Sequence, residues 1–147
     1  MSDTKLNNLS KDLYNLMLNL HRKIFNHDEM MKNLPIPPSH VKVILYLKHN
    51  GDSSISEIAK NLLISKPNMT PIIDKLVSEN MVNRYNDPND RRILRIELTS
   101  KAHEFIKKQE EMIKNTLSEK ISVLSSEDLE YLGHHVTGVI DILGKIK

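Results

Sequence analysis

The 147-residue sequence has no cysteine and no tryptophan, and only four glycines and two phenylalanines. Without cysteine there are no thiol nucleophiles, CxxC redox pairs, zinc ribbons or disulfides, and the chain suits a reducing compartment. A cytoplasmic location is therefore expected. Gly51, Gly133, Gly138 and Gly144 are the wrong spacing for GxGxxG or GxxxxGK[ST] phosphate loops, which removes most nucleotide enzymes. No apolar run approaches the roughly 18 residues needed to span a bilayer. Met1-Ser2-Asp3-Thr4-Lys5 also lacks the basic-then-apolar layout of a signal peptide, so an unexported chain with no membrane partner is expected. Charge of one sign is missing too: 21 Lys and Arg against 19 Asp and Glu leave a net charge of +2. That balance argues against a disordered polyelectrolyte or a basic tail.

What is present is one domain's length of chain with 39% apolar residues, enough for a sizeable core. Leu6, Leu9, Leu13, Leu16 and Leu20 draw one apolar stripe down a first helix that continues to about Asn33. Pro35, Pro37 and Pro38 stop it. A second helix restarts at the proline-rich turn or Ser39, with Val41, Ile44, Leu45 and Leu47 inward, and ends at Asn50-Gly51. Ser56 to Leu62 reads as a short helix capped by Ser56, with Ile58, Ala59 and Leu62 inward. Ser65 then precedes Lys66-Pro67, a cap and an early proline that suit a helix start. Met69, Ile72, Ile73, Leu76 and Val77 form the buried face of this helix, and Pro71 predicts a local kink or a late start.

From Met81 the period changes to two. Met81–Tyr85 and Ile93–Leu98 read as strands around the turn-rich 86–92, which makes a hairpin with a polar, basic tip. Thr99 or Ser100 caps a long helix through Ala102, Phe105, Ile106, Gln109, Met112, Ile113, Leu117 and Ile121. Ser125-Ser126-Glu127-Asp128 opens a last one, striped by Leu129, Leu132, Val136, Val139, Leu143 and Ile146.

Two short helices around a tight turn at Leu63-Ile64, followed by a basic-tipped hairpin, have the layout of a winged helix-turn-helix. A helix in the major groove must offer short polar groups to base edges while its back face stays packed. Lys66, Asn68 and Thr70 meet that need, with Lys75 further along, although such residues alone also suit a solvated helix face. The hairpin adds weight. Arg84, Arg91, Arg92 and Arg95, four of the five arginines, fall within twelve residues of a chain that otherwise uses lysine. Arginine suits narrow minor grooves and bidentate phosphate contacts. Asp87 and Asp90 could neutralise the turn, but two adjacent tip arginines leave one free when a carboxylate braces the other.

These features resemble the MarR family of winged-helix regulators over nearly the whole chain. Asp90, Arg92, Leu98 and Thr99 fit that family's wing pattern D-x-R-x5-L-T. Ile58-Ala59, Ile64-Ser65-Lys66 and Asp74-Lys75-Leu76 are similar as well. Two positions depart from the pattern: Ala102 and Leu63 stand where glycine is common, which bears on local backbone geometry. The resemblance implies a mainly α fold with a small β-hairpin wing, in which terminal dimerisation helices flank a winged helix-turn-helix. It implies a homodimer that binds double-stranded DNA at a palindromic operator as a ligand-responsive repressor, with an activator or a protein-interaction winged helix as alternatives. Unpartnered stripes on both terminal helices point to the same dimer.

The expected division is a dimerisation helix over 1–34, a DNA-binding domain over 35–100 and linking and dimerisation helices over 101–147. Within the middle part, 65–79 is the recognition helix and 81–99 the wing. The expected DNA contacts are Ser65, Lys66, Asn68, Thr70, Lys75, Arg91 and Arg92, with Asp90 as the brace of a wing arginine. The family precedent of phenolic ligands suggests a small aromatic anion as effector. No catalytic residues, cofactor or metal are expected, because no nucleophile and base stand at interpretable spacing and HExxH is absent. His134-His135 with Glu130 reads as a solvated helix face, and His40 and His103 read as polar surface residues.

Overall fold

The computed structural model describes residues 2–32 and 34–147, apart from the side chains of residues 27, 29 and 31. The elements are α1 (Asp3–Asn19), a π-helical turn (Leu20–Ile24), α2 (His27–Lys32), α3 (Pro38–Asn50), β1 (Ser53–Ser54), α4 (Ile55–Asn61), α5 (Lys66–Ser78), β2 (Val82–Asn86), β3 (Leu94–Leu98), α6 (Ser100–Ile121) and α7 (Ser126–Leu143). This is the mainly α, wing-bearing class expected from the sequence. The chain divides into two compact units, residues 25–111 and residues 1–24 with 112–147. Among the described residues no helix is long and apolar enough to cross a membrane.

In the unit over 25–111, α3, α4, α5 and the start of α6 close around a three-stranded antiparallel sheet ordered β1-β3-β2. Val43, Ile44, Ile58, Met69, Ile73, Leu76, Ile96 and Ala102 are essentially inaccessible to water, and Leu47, Val82 and Ile106 nearly so. Truncating one of the large aliphatic residues here, Ile73 for example, leaves a void that costs about 2–5 kcal/mol. On α3 the inward stripe is Val43, Ile44 and Leu47, not the expected set containing Leu45, which is exposed. Residues 43, 44 and 47 share one side at 3.6 residues per turn, whereas 45 lies about 100° past 44.

Three local differences from the sequence expectation have physical causes. The first helix does not run unbroken to about Asn33, a residue that itself lies outside the described ones. It widens into the π-helical turn, ends at Ile24 and restarts at His27, after an asparagine of the type that favours helix starts. The cap of α4 is Ser54 rather than Ser56. Ser54 Oγ accepts from Glu57 N, and Glu57 Oε2 accepts from Ser54 N, which makes a complete capping box. The same Ser53-Ser54 pair forms the unexpected strand β1, whose register is Ser53 opposite Ile96 and Ser54 opposite Arg95. Finally, α5 starts on time at Lys66 despite Pro71, with Ser65 Oγ accepting from Asn68 N at 3.4 Å.

Both helices of the helix-turn-helix end the same way. After α4, Leu63 N–H donates to Lys60 O and Ile64 N–H donates to Ala59 O. After α5, Asn80 N–H donates to Val77 O and Met81 N–H donates to Leu76 O. Each is a Schellman closure, which needs a left-handed residue at its corner. Leu63 has φ 55° and Asn80 has φ 59°. Asparagine tolerates that region, whereas a leucine there is strained. The position where the resemblance leads one to expect glycine is therefore one where this chain bends a leucine into glycine's conformation.

In the other unit, α1 and α7 have no buried residues. Leu6 is 53% exposed and Ile146 73%, and Leu9, Leu13, Leu16, Val136, Val139 and Leu143 are likewise open to solvent in the single chain. Ser125 caps α7 by accepting from Asp128 N at 3.1 Å. Lys120 Nζ donates to Ile24 O, where the π-helical turn ends.

Leu63 is 93% exposed, so replacing it removes strain without opening a cavity. Relief of about 1–2 kcal/mol in the left-handed region outweighs the roughly 0.5–1 kcal/mol of extra entropy that glycine brings to the unfolded chain. Leu63→Gly is expected to raise the thermal midpoint by about 2 °C. A lowered midpoint in a calorimetric scan would contradict the strain at this turn.

Candidate nucleic-acid interface

Away from its buried stripe α5 carries Asn68, Thr70, Asp74 and Lys75, with Lys66 in its first turn, all exposed. The expected contact residues on it differ in how far they are already engaged. Ser65 Oγ accepts the capping bond, and Thr70 Oγ1 donates to Lys66 O at 3.1 Å. Each hydroxyl keeps further hydrogen-bonding capacity. Lys75 Nζ lies 3.4 Å from Glu79 one turn along. Among the described residues, the Lys66 ammonium and the Asn68 amide have no side-chain partner. Asn68 thus presents both a donor and an acceptor near the start of the helix.

The hairpin is held in register by Val82 opposite Leu98, Arg84 opposite Ile96 and Tyr85 opposite Arg95. Its tip is built by carboxylates. Asp87 Oδ1 accepts from the backbone N–H of Asn89 at 2.8 Å and of Asp90 at 3.2 Å, and Asn86 Nδ2 donates to Arg91 O. Asp87 is thus a turn-former, the use that Asp before Pro-Asn in a turn-rich run signals.

Asp90 accepts from Arg92 three times: from the backbone N–H and Nε at Oδ1, both at 3.1 Å, and from Nη2 at Oδ2 at 3.2 Å. The fork of bonds to Arg92 holds the Asp90 carboxyl below its ordinary pKa. Arg92 itself is 91% exposed, so water competes with the pair at every moment. Beside it, Arg91 is exposed and has no side-chain partner among the described residues.

The other two hairpin arginines are not at the tip. Arg84 Nη1 is 2.6 Å from Asp74 Oδ1 of α5. Arg95 Nη1 donates to Asp87 Oδ2 at 3.4 Å and its Nη2 donates to Asp52 O at 2.7 Å. Tyr85 Oη completes this cluster by donating to Asp52 Oδ2 at 3.0 Å, and that bond to a carboxylate raises the phenol's pKa. Arg84 and Arg95 lie on the body of the strands, where Arg84 meets the Asp74 carboxylate of α5 and Arg95 meets the Asp87 carboxylate and the Asp52 backbone carbonyl. Asp52 and Asp74 are the participants that sequence reasoning missed, since nothing local marks either as a partner. At the base of the wing, Thr99 Oγ1 donates to Asn80 O and accepts from Ala102 N, so it ties the second Schellman corner to the cap of α6.

Of the histidines, His103, His134 and His135 are exposed. Among the described residues no group of three or more His, Cys, Asp or Glu side chains could hold a metal ion. His40 is not a plain surface residue. It is half-buried in the first turn of α3, and its Nδ1 is out of water without a hydrogen-bond partner among the described residues.

A helix-turn-helix with a packed back face and a polar front, followed by a carboxylate-braced β-wing, is a winged helix-turn-helix. Residues 36–94 match the MarR family. Solved structures agree over almost the whole length. A transcriptional regulator of Thermotoga maritima superposes with a TM-score of 0.77 at 18% identity, covering 95% of this chain and 96% of that one. A MepR mutant of S. aureus, bound to an oligodeoxyribonucleotide, gives 0.68 at 21% identity, covering 88% and 96%. The YusO protein of Bacillus subtilis gives 0.65 at 20% identity, covering 96% and 98%. At these identities the likeness is one of fold.

Burial lowers the pKa of His40, opposed by the charge of Glu79 and assisted by that of Lys75. The folded state therefore binds fewer protons at this site than the unfolded chain does. Its contribution is complete above the ordinary histidine value of about 6.5 and is lost as pH falls below it. His40→Gln is expected to lose less thermal stability than the wild type between about pH 7.5 and pH 5.5. Equal losses in the two proteins would show that His40 is not the group responsible.

Proposed function

We propose that the chain is a sequence-specific, double-stranded-DNA-binding regulator that acts as a homodimer, a ligand-responsive repressor on a palindromic operator. In this reading, residues 35–100 form the DNA-binding domain. The polar face of α5 enters the major groove, where Asn68 and Thr70 meet base edges and Ser65, Lys66 and Lys75 meet phosphate or bases. Arg91 and Arg92 reach the neighbouring minor groove. The observation that carries the reading is the partition of groups just described. Both tip arginines are exposed, and Arg91 has no side-chain partner among the described residues, while Arg84 and Arg95 are engaged in bracing. A hairpin that needed arginine only for structure would have no use for a partnerless one at its tip.

The exposed stripes of α1 and α7 support the dimer. Each presents a row of leucine, valine or isoleucine that a single chain leaves in water, and a second copy would bury both. Dimerisation in turn gives the two recognition helices one fixed separation, to be matched to half-sites about one helical turn apart. An effector then acts by favouring a dimer with a different separation. With no cysteine, that effector must bind rather than oxidise a thiol, and the family resemblance favours a small aromatic anion such as a phenolic acid.

Binding to a mixed-sequence duplex at several salt concentrations tests the wing. Arg91→Ala is expected to weaken binding to every duplex and to flatten the slope of log affinity against log salt by about one. Arg92→Ala should do the same more weakly, because its guanidinium must first leave Asp90. Unchanged binding by both variants would remove the wing from the interface. Sedimentation at micromolar concentration should meanwhile report about twice the 17.0 kDa chain mass, and a folded monomer would remove the dimer.

A further inference from the structure

We propose that the Asp74–Arg84 ion pair is a positioning device that locks the wing to the recognition helix, so that helix and wing meet the duplex as one rigid reader. This rests on the DNA reading above.

The sheet order β1-β3-β2 makes β2 an edge strand, hydrogen-bonded to a neighbour on one side only. Apart from that pairing, β2 is held by the burial of Val82 at its base, by the short corner at Asn80 through which α5 turns into it, and by Tyr85 Oη on Asp52. None of these joins the middle of β2 to the polar face of α5. Arg84 projects from the middle of β2 and reaches back ten residues to Asp74 on α5, at 2.6 Å. The pair spans the gap between the two elements that must touch DNA together.

Asp74 sits one turn beyond Thr70 on the polar face of α5. A carboxylate there repels phosphate, so on charge alone it weakens the proposed function. Neither partner is in the core, with side-chain exposures of 36% for Arg84 and 53% for Asp74, so the pair is not needed to bury a charge or fill a void. Its cost at the interface is offset if the guanidinium it holds keeps the wing in place. Arg84 in turn is turned towards α5 and away from the tip, where Arg91 and Arg92 lie.

The two roles have opposite signs. If Asp74 mattered only as a charge, its removal would tighten DNA binding. If it positions the wing, its removal weakens binding, even though a repulsive charge has gone.

The test compares Asp74→Ala, Arg84→Ala and the reversed pair Asp74→Arg with Arg84→Asp, using a duplex recovered by the wild type from a random pool. Affinity is measured across salt, and amide hydrogen exchange is measured on the free proteins. Both single variants are expected to bind about fivefold more weakly, the upper range for an exposed pair, with the wild-type salt slope. Amides of Asn83–Asn86 should exchange faster in both, while those around Ile44 and Ile73 stay unchanged. The reversed pair should recover most of the affinity and the protection.

Binding by Asp74→Ala as tight as or tighter than wild type would overturn the proposal. So would unaltered wing exchange, or a slope in Arg84→Ala reduced by about one, which would make Arg84 a phosphate contact. Should the wild type recover no duplex, the DNA reading falls and the affinity argument with it. The exchange measurement then decides alone whether the pair holds the wing.

Discussion

Met69, Ile73 and Leu76 are buried to completion against Val43, Ile44, Ile58 and Ile96, and this burial sets the rotation of α5 about its own axis. Turning the helix by one residue would put Thr70, Asp74 and Val77, or Asn68, Ile72 and Lys75, into the core. Either choice desolvates a charge with no partner waiting for it, a far larger penalty than any contact on the opposite face can repay. The polar face is therefore aimed by the apolar one. The strain at Leu63 and the two Schellman corners follow from the same constraint, because α4, α5 and β2 can share one small core only if the chain reverses abruptly between them.

Electrostatics then divides the work of the wing. Four arginines lie close together in sequence, yet the pleat and the register separate them into two on the strands and two at the tip. Those on the strands are spent on structure: Arg95 ties the sheet to the turn before β1 through Asp52, and Arg84 ties it to α5 through Asp74. At the tip, the Asp90 fork restrains Arg92 loosely in solvent, beside a partnerless Arg91. The wing thus has a stiff base and a basic end, which is the distribution of rigidity that phosphate recognition calls for.

Most of this architecture was legible in the residues. Apolar spacing located every helix of the core, the change to period two located the wing strands, and the cap residues Ser65, Thr99 and Ser125 located three helix starts. What was not legible came from choices that depend on tertiary context. Ser54 and Ser56 are equally good caps by type, and only the Glu57 side chain folding back decides for Ser54. Leu45 is as apolar as Ile44, and only the rotation of α3 against α5 exposes it. Asp90 as a brace could be anticipated because its partner is two residues away. Asp52 and Asp74 could not, because their partners are 43 and ten residues distant and no local pattern records such a pairing. The break between α1 and α2 was hidden because the leucine stripe runs up to it without a proline or glycine to mark the end.

The central claim is that a packed helix and a braced wing, doubled by a two-fold axis, read duplex DNA. Selection of bound duplexes from a fully random pool, followed by sequencing, tests it most directly. The account predicts enrichment of a two-fold symmetric site whose half-sites are centred about one helical turn apart, or a multiple of it. Enrichment of an asymmetric site would contradict the dimeric reading, and recovery of no sequence above background would contradict DNA recognition itself.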